Sequence, residues 1–149
     1  MAEISARLEL KGWNAIQLKL RIPTIIRAYG DVMDKELKDQ IKAVKWYWPN
    51  DTRRRNGTLV RKGDRDIVDT GNFLRSQRRE YPDATTLRFT WDAKSKGGFM
   101  YAGLILTGGQ IGNRGAAIKG RNWIKPALEA HPLNEFFIRK WRELARSNL

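Results

Sequence analysis

Along the first third of the chain the spacing of apolar residues changes period. Ile4, Ala6, Leu8 and Leu10 alternate with Ser5, Arg7 and Glu9, the pattern of a half-buried strand, and Gly12 ends it. Between Trp13 and Arg21, Ile16, Leu18 and Leu20 fit either a short helix or a continuation of the strand, with Pro23 as punctuation. Pro23 and Thr24 can start the next helix, because proline in a first turn loses no helical hydrogen bond. Ile25, Ile26, Tyr29, Val32, Met33, Leu37, Ile41 and Val44 then recur at three- and four-residue spacings, with Asp34, Lys35, Lys38 and Asp39 on the other side. Gly30 costs about 1 kcal/mol relative to alanine, less than this stripe supplies. Trp46-Tyr47-Trp48-Pro49 closes the helix, and Trp46 and Trp48 read as an aromatic plug at its end, with a protein interface as the competing reading.

The second half has shorter pieces. Asn56-Gly57 marks a tight turn, beside which Thr58, Leu59 and Val60 can form one short strand. Asp69 or Thr70 can cap a short helix, with Leu74 as its apolar anchor. Leu87, Phe89 and Trp91 alternate with Arg88 and Thr90, predicting a strand with one buried face over residues 85–91, and Lys96-Gly97-Gly98 turns the chain. Periodicity leaves Tyr101 to Thr107 open between a strand and a helical turn. Asn122 to Leu128 reads as a strand or turn running into a helix with Pro126 in its first turn. Beyond the His131-Pro132 break, Leu133, Phe136, Phe137, Trp141 and Leu144 give an amphipathic helix, with Arg139, Lys140, Arg142, Glu143 and Arg146 on its polar face.

Composition narrows the chemistry. A chain of 149 residues is expected to form one domain, and 41% hydrophobic against 30% charged residues predicts that most of it folds. It has no apolar run near the length of a membrane span and no signal-peptide pattern, so a soluble protein made inside the cell is expected. With no cysteine there are no disulfides or thiolate metal sites, and the single histidine, His131, lacks a partner for zinc or for a Ser-His-Asp arrangement. Asp69-Thr70-Gly71 matches the tripeptide of aspartic proteases, but no second such tripeptide supplies the other carboxylate. A nuclease with Asp64, Asp66 and Asp69 around a metal has only acidic spacing behind it. The glycines at 108, 109, 112, 115 and 120, with Arg114 and Lys119, lack the ending of a phosphate-binding loop, so residues 108–120 are expected to form a flexible insertion.

The formal net charge of +13 points to a polyanion or an acidic protein surface as partner. Arg53, Arg54, Arg55, Arg61, Lys62 and Arg65 crowd residues 50–65, and Arg75, Arg78, Arg79 and Arg88 extend the basic zone. Like charges at that density predict an extended arm, either solvated or interfacial.

Three motifs stand in a fixed order: Asp69-Thr70-Gly71-x-x-Leu74-x-Ser76, then Tyr101-Ala102 leading to Gly108-Gly109, then a basic residue, Trp123, and Pro126-Ala127-Leu128. In that order they resemble the head-tail joining, or tail-completion and tail-terminator-like, proteins of the neck of tailed bacteriophages. Family members often carry a short proline segment directly before the first motif, whereas here a long Arg-rich stretch separates Pro49 from Asp66. The resemblance implies an α+β fold, with a small mixed or antiparallel sheet against a long helix from the N-terminal half and a C-terminal helix. It implies a short helix presenting Tyr101 and Ala102 inward, and a structural, non-enzymatic virion part without cofactors. Its partners would be copies of itself in a ring, hexameric or dodecameric, the adjacent connector or stopper, the tail-tube or tail-terminator proteins, and DNA in the lumen, with no membrane. The protein would be made in the host cytoplasm and reside in the virion. The alternative is a monomeric or dimeric nucleic-acid-binding protein using the arginine arm and the tryptophans.

Overall fold

The computed structural model describes residues 1–7, 15–54, 56–68, 71–110 and 117–146. The fold is α+β. Strands β1 (Ala2–Arg7), β6 (Gln77–Asp83) and β7 (Thr86–Trp91) form an antiparallel sheet in the order β1-β7-β6. Helix α1 (Ala15–Lys42) packs on β7 and on the two C-terminal helices, α4 (Ile124–Ala130) and α5 (Leu133–Arg146). Between these lie strands β2 (Trp46–Trp48), β3 (Thr52–Arg53), β4 (Leu59–Val60) and β5 (Gly63–Arg65), the short helices α2 (Asn72–Arg75) and α3 (Ala102–Thr107), and the hairpin β8 (Gly108–Gln110) with β9 (Ala117–Lys119).

The helical stripe behaves as its spacing predicts. Ile25, Ile26, Tyr29, Met33, Leu37 and Ile41 are all fully buried. Val44 does not belong to it: the helix has ended, and Val44 is 70% exposed. Pro23 lies inside α1 and does not begin it. An interior proline costs about 3 kcal/mol, but buried Ile22, Ile25 and Ile26 flank it, and their burial at roughly 1.5–3 kcal/mol each is forfeited if the helix breaks there. Gly30 has a positive use, since a Cβ there would collide with the Tyr81 hydroxyl on β6. The strand expected around residues 4–10 is β1 over its first part, and residues 8–10 lie outside the described residues.

Strand β6 was not expected, because almost every residue in it is polar on both faces. It is an edge strand, which explains both that composition and the tolerance of Pro82, near which the register with β7 shifts. Asp83 closes the β6–β7 turn by accepting from the Thr85 backbone N–H at 2.8 Å. Gln77 ties this edge to α1, its Nε2 donating to Asp34 Oδ1 at 2.9 Å and to the Asp34 carbonyl at 3.0 Å. Toward the C-terminal helices, the Tyr29 hydroxyl donates to the His131 carbonyl at 2.9 Å, and the Tyr29 ring meets Phe136 edge-on at 5.2 Å. His131, at the break between α4 and α5, also places its Nε2 3.4 Å from Glu36 on α1.

Burial pushes the Asp34 carboxyl upward, but hydrogen bonds from Lys38 and Gln77 outweigh it, and the net result lies below the ordinary carboxylate range. The stability Asp34 contributes is therefore complete above the unfolded carboxylate pKa of about 3.9 and is lost as the pH falls through the lower folded value. Asp34→Asn should cost about 1 kcal/mol at neutral pH, and the gap to the parent should close toward pH ~2, as checked by chemical denaturation across that range.

Candidate functional site

The three motifs meet in one place. Phe73 of α2, Trp91 at the end of β7 and Trp123 at the start of α4 are buried together, with ring centroids of Phe73 and Trp123 at 4.9 Å and of Trp91 and Trp123 at 5.4 Å, both edge-on. Tyr101 joins from the side, 6.4 Å from Phe73, and its hydroxyl accepts a hydrogen bond from Asn72 Nδ2 at 3.2 Å. Ala102 and Ala127 are fully buried beside them. The short helix is α3, with Ala102 buried in it, while Tyr101 stands just before its first turn and is only half-buried.

Individual motif residues separate by role. Gly71 takes a left-handed conformation, φ +76°, just before α2. Ser76 closes the same helix, its Oγ donating to the Phe73 carbonyl at 2.7 Å. The apolar anchor of this turn is Phe73, buried, and not Leu74, which is half-buried at the edge of the core. Asp69 and Thr70 lie outside the described residues. In the third motif Asn122 does the capping, since its Oδ1 accepts from the backbone N–H groups of Ile124 at 3.2 Å and Lys125 at 3.0 Å. Pro126 sits in the first turn of α4, where it forfeits no helical bond, and Leu128 is exposed.

The glycine-rich stretch is only partly a loop. Residues 108–110 and 117–119 pair as a hairpin, and residues 111–116, with Arg114, lie outside the described residues. Gly108 has φ +77° and ψ 179°, a region open essentially to glycine alone, and a Cβ there would stand 2.5 Å from Gly120 N. Lys119 is exposed on β9.

The expected basic arm is also folded, and its charge is the reason the expectation failed. Arg61 pairs with Asp51 at 2.9 Å and Arg54 with Asp66 at 3.2 Å, so acidic residues interleaved with the arginines take up part of the repulsion. The backbone N–H of Lys62, then Arg61, hold the Asp51 carboxyl below its ordinary range. Asn56 Oδ1 accepts from the Thr58 N–H at 3.0 Å, and Gly57 at φ +89° closes the β3–β4 turn, as the Asn-Gly pair predicts. Asp66 is held by Arg54 and by the Val68 N–H at 3.1 Å, while Asp64 is exposed. Arg53 and Lys62 are exposed, and Arg55 lies outside the described residues.

The tryptophans divide. The Trp46 indole donates to the Gln40 carbonyl at 3.0 Å, satisfying a group left open at the end of α1, so it is the plug. Trp48 does something the sequence did not suggest. On the β2–β5 ladder Trp46 lies opposite Arg65, which makes Trp48 the diagonal neighbour of Arg65 on the same face. The Arg65 guanidinium carbon stands 4.2 Å from the centroid of the Trp48 ring, and that of Arg121, arriving from the start of α4, 3.7 Å from it. Arg65 is 9% exposed and Arg121 5%. Neither has a carboxylate within ion-pair distance among the described residues. Arg121 Nη1 donates to the Lys119 carbonyl at 3.0 Å and Nη2 to the Tyr47 carbonyl at 3.4 Å, while Arg65 Nη1 reaches the Val60 carbonyl at 3.4 Å. Among the described residues, Arg65 Nε and Nη2 and Arg121 Nε are buried without a hydrogen-bond partner. Burial first, then the neighbouring Arg54, lowers the Arg65 pKa against Asp51 and Asp66; burial first, then Arg65 itself, lowers that of Arg121.

These side chains border two adjoining cavities of about 520 Å³ and 510 Å³ that share Trp48, Arg53, Ile67 and Ile118 as walls. Arg121 lines the first and Arg65 the second. Arg121 was visible in the sequence only as the basic residue of the third motif, and Phe73 and Trp91 only as apolar members of a turn and a strand. Comparison of the chain with known families, curated proteins and solved structures gave no match to any of the three.

Phe73→Ala should destabilise the fold by roughly 3–5 kcal/mol, while Leu74→Ala should cost less than half as much, read from urea denaturation. Gly108→Ala should cost at least twice the roughly 1–2 kcal/mol of Gly57→Ala, which meets only the backbone penalty because nothing lies near its Cβ position.

Proposed function

We propose that this protein is a structural ring subunit of the neck of a tailed bacteriophage, joining the head connector to the tail. The observation that carries the reading is the convergence of the three ordered motifs on one aromatic cluster, Phe73, Tyr101, Trp91 and Trp123. Motif residues spread over sixty positions, Asp69 to Leu128, are here the support of one fold, and the cluster they build is packed aromatic matter. That suits a subunit whose work is to present surfaces at a fixed geometry.

A ring needs two unlike surfaces that meet head to tail, and upper and lower faces for the rings next to it. The β3–β4 and β8–β9 hairpins and the exposed apolar residues Tyr47, Leu59, Phe99 and Ile138 supply material for such contacts. Among the described residues no helix is long and apolar enough to cross a membrane.

The exposed cations Arg53, Lys94 and Lys96 on the walls of the first cavity favour one second reading, a basic nucleic-acid-binding protein acting as monomer or dimer. Its binding to DNA would fall steeply with salt.

Removing the gene from the phage that carries it should leave full heads and finished tails unjoined in electron micrographs of the lysate, with joining restored by the gene supplied in trans. Native mass measurement should find a closed ring. Normal yields of joined, infectious particles without the protein would overturn the neck reading, and a monomer that binds DNA in a salt-sensitive way would favour the second one.

A further inference from the structure

Arg65 and Arg121 stand out because the fold holds two like charges on one ring, nine-tenths or more buried, with no carboxylate at ion-pair distance among the described residues, Asp51 and Asp66 acting on Arg65 only from farther away. A buried cation is expensive unless it is paired and its donors are satisfied. Stacking on Trp48 returns part of that cost, and hydrogen bonds to three backbone carbonyls return more. Left over are the N–H groups at Arg65 Nε and Nη2 and at Arg121 Nε, which want an acceptor carrying negative charge. Arginine presents these donors in a planar fork, which fits an oxyanion with two oxygens better than it fits water.

We propose that this pair is an anion-binding site for a carboxylate on an acidic segment of a different protein, with an apolar neighbour of that carboxylate filling the adjoining cavity. Three features separate this occupant from others. The cavity walls beside the arginines include Ile67, Phe73, Ile105 and Ile118, which suit a leucine or phenylalanine side chain and offer nothing to a phosphodiester. The guanidiniums are recessed, whereas the phosphates of a duplex meet cations that project from a surface, as Arg53 and Lys96 do here. A second copy of this chain is a poor source of the carboxylate, since 29 basic residues stand against 16 acidic ones and eight of those sixteen already sit in ion pairs. The free nitrogens are covered in the isolated chain, so the carboxylate reaches them only as a wall side chain moves. The inference rests on the ring reading for where such a partner is found, and on the arginine pair alone for the site.

The test uses the full chain and the nitrogen-bound proton signals of the arginine Nε groups in NMR spectra, assigned through Arg65→Lys and Arg121→Lys. The probe is a blocked pentapeptide alternating leucine or phenylalanine with aspartate and glutamate, and its control is the same peptide with asparagine and glutamine. The acidic peptide should shift the Arg65 and Arg121 Nε signals saturably, and the amide control should bind about tenfold more weakly or worse, the equivalent of one lost charged hydrogen bond. Arg121→Lys, which keeps the charge and loses the fork, should weaken the acidic peptide by a similar factor, read at a temperature well below the variant's own melting point. Should that variant fail to fold, the two peptides on the parent chain decide the matter by themselves. Equal binding of both peptides would overturn carboxylate recognition. Displacement of the peptide from these signals by inorganic phosphate or a short DNA duplex at equal ionic strength would reassign the site to phosphate. No movement of either arginine signal with any probe would overturn the site altogether. Because this measurement needs no ring, its failure leaves the neck reading standing, and an absent ring leaves the site standing.

Discussion

The edge-on packing of Trp123 against Trp91 and Phe73 is the contact on which the rest of this structure hangs. Each ring belongs to a different element: Trp91 ends the central strand of the sheet, Phe73 is the buried residue of a four-residue helix, and Trp123 begins α4. Aromatic pairs in this geometry add about 0.5–1.5 kcal/mol beyond the area they bury, and here they also fix direction, since an edge-to-face pair tolerates less rotation than an aliphatic contact. A helix as short as α2 has no stability of its own. It is held by Phe73 and by Ser76 bonding back to Phe73, and the Asn72 to Tyr101 bond then ties α3 to it.

From that cluster the positions of the two buried arginines follow. Arg121 lies two residues before Trp123, and its backbone N–H donates to the Ile105 carbonyl of α3 at 2.7 Å, so the α3 end of the cluster sets where it points. Arg65 is placed from the other side. The Trp46 indole on Gln40 and the Ile67 N–H on the Ile41 carbonyl, 3.0 Å each, attach both strands of the β2–β5 ladder to the end of α1. Two independent anchors thus bring like charges onto one tryptophan, an arrangement that electrostatics alone would disperse.

The parts of the fold readable in the sequence are those where one residue's neighbours along the chain decide its environment. The α1 stripe, the alternation through Leu87, Phe89 and Trp91, the Asn56-Gly57 turn and the amphipathic α5 all belong to this kind. Pro23 reads as a helix start in sequence, but burial on both sides of it outweighs that local preference. Strand β6 was invisible because an edge strand facing solvent needs no apolar alternation. The basic segment reads as an arm because charge counted along the chain does not say which carboxylates the turns bring alongside, and Asp51 and Asp66 settle that in three dimensions only. The candidate site was the least legible of all. Arg65 and Arg121 are separated by much of the chain, and one strand register and one helix start place them together.

The contacts of α1 carry a consequence for how the chain is made. The buried side of this helix is covered by β7 and by α4 and α5, with Tyr29 reaching the His131 carbonyl and Phe136 a hundred residues downstream. During synthesis α1 leaves the ribosome long before those partners exist, at a pace of roughly 5–20 residues per second. For several seconds each nascent chain therefore displays a bare apolar ridge of isoleucine, methionine and leucine. Until α4 and α5 arrive, only the charged residues along the other side of the helix oppose pairing of that ridge with the same ridge on a neighbouring nascent chain.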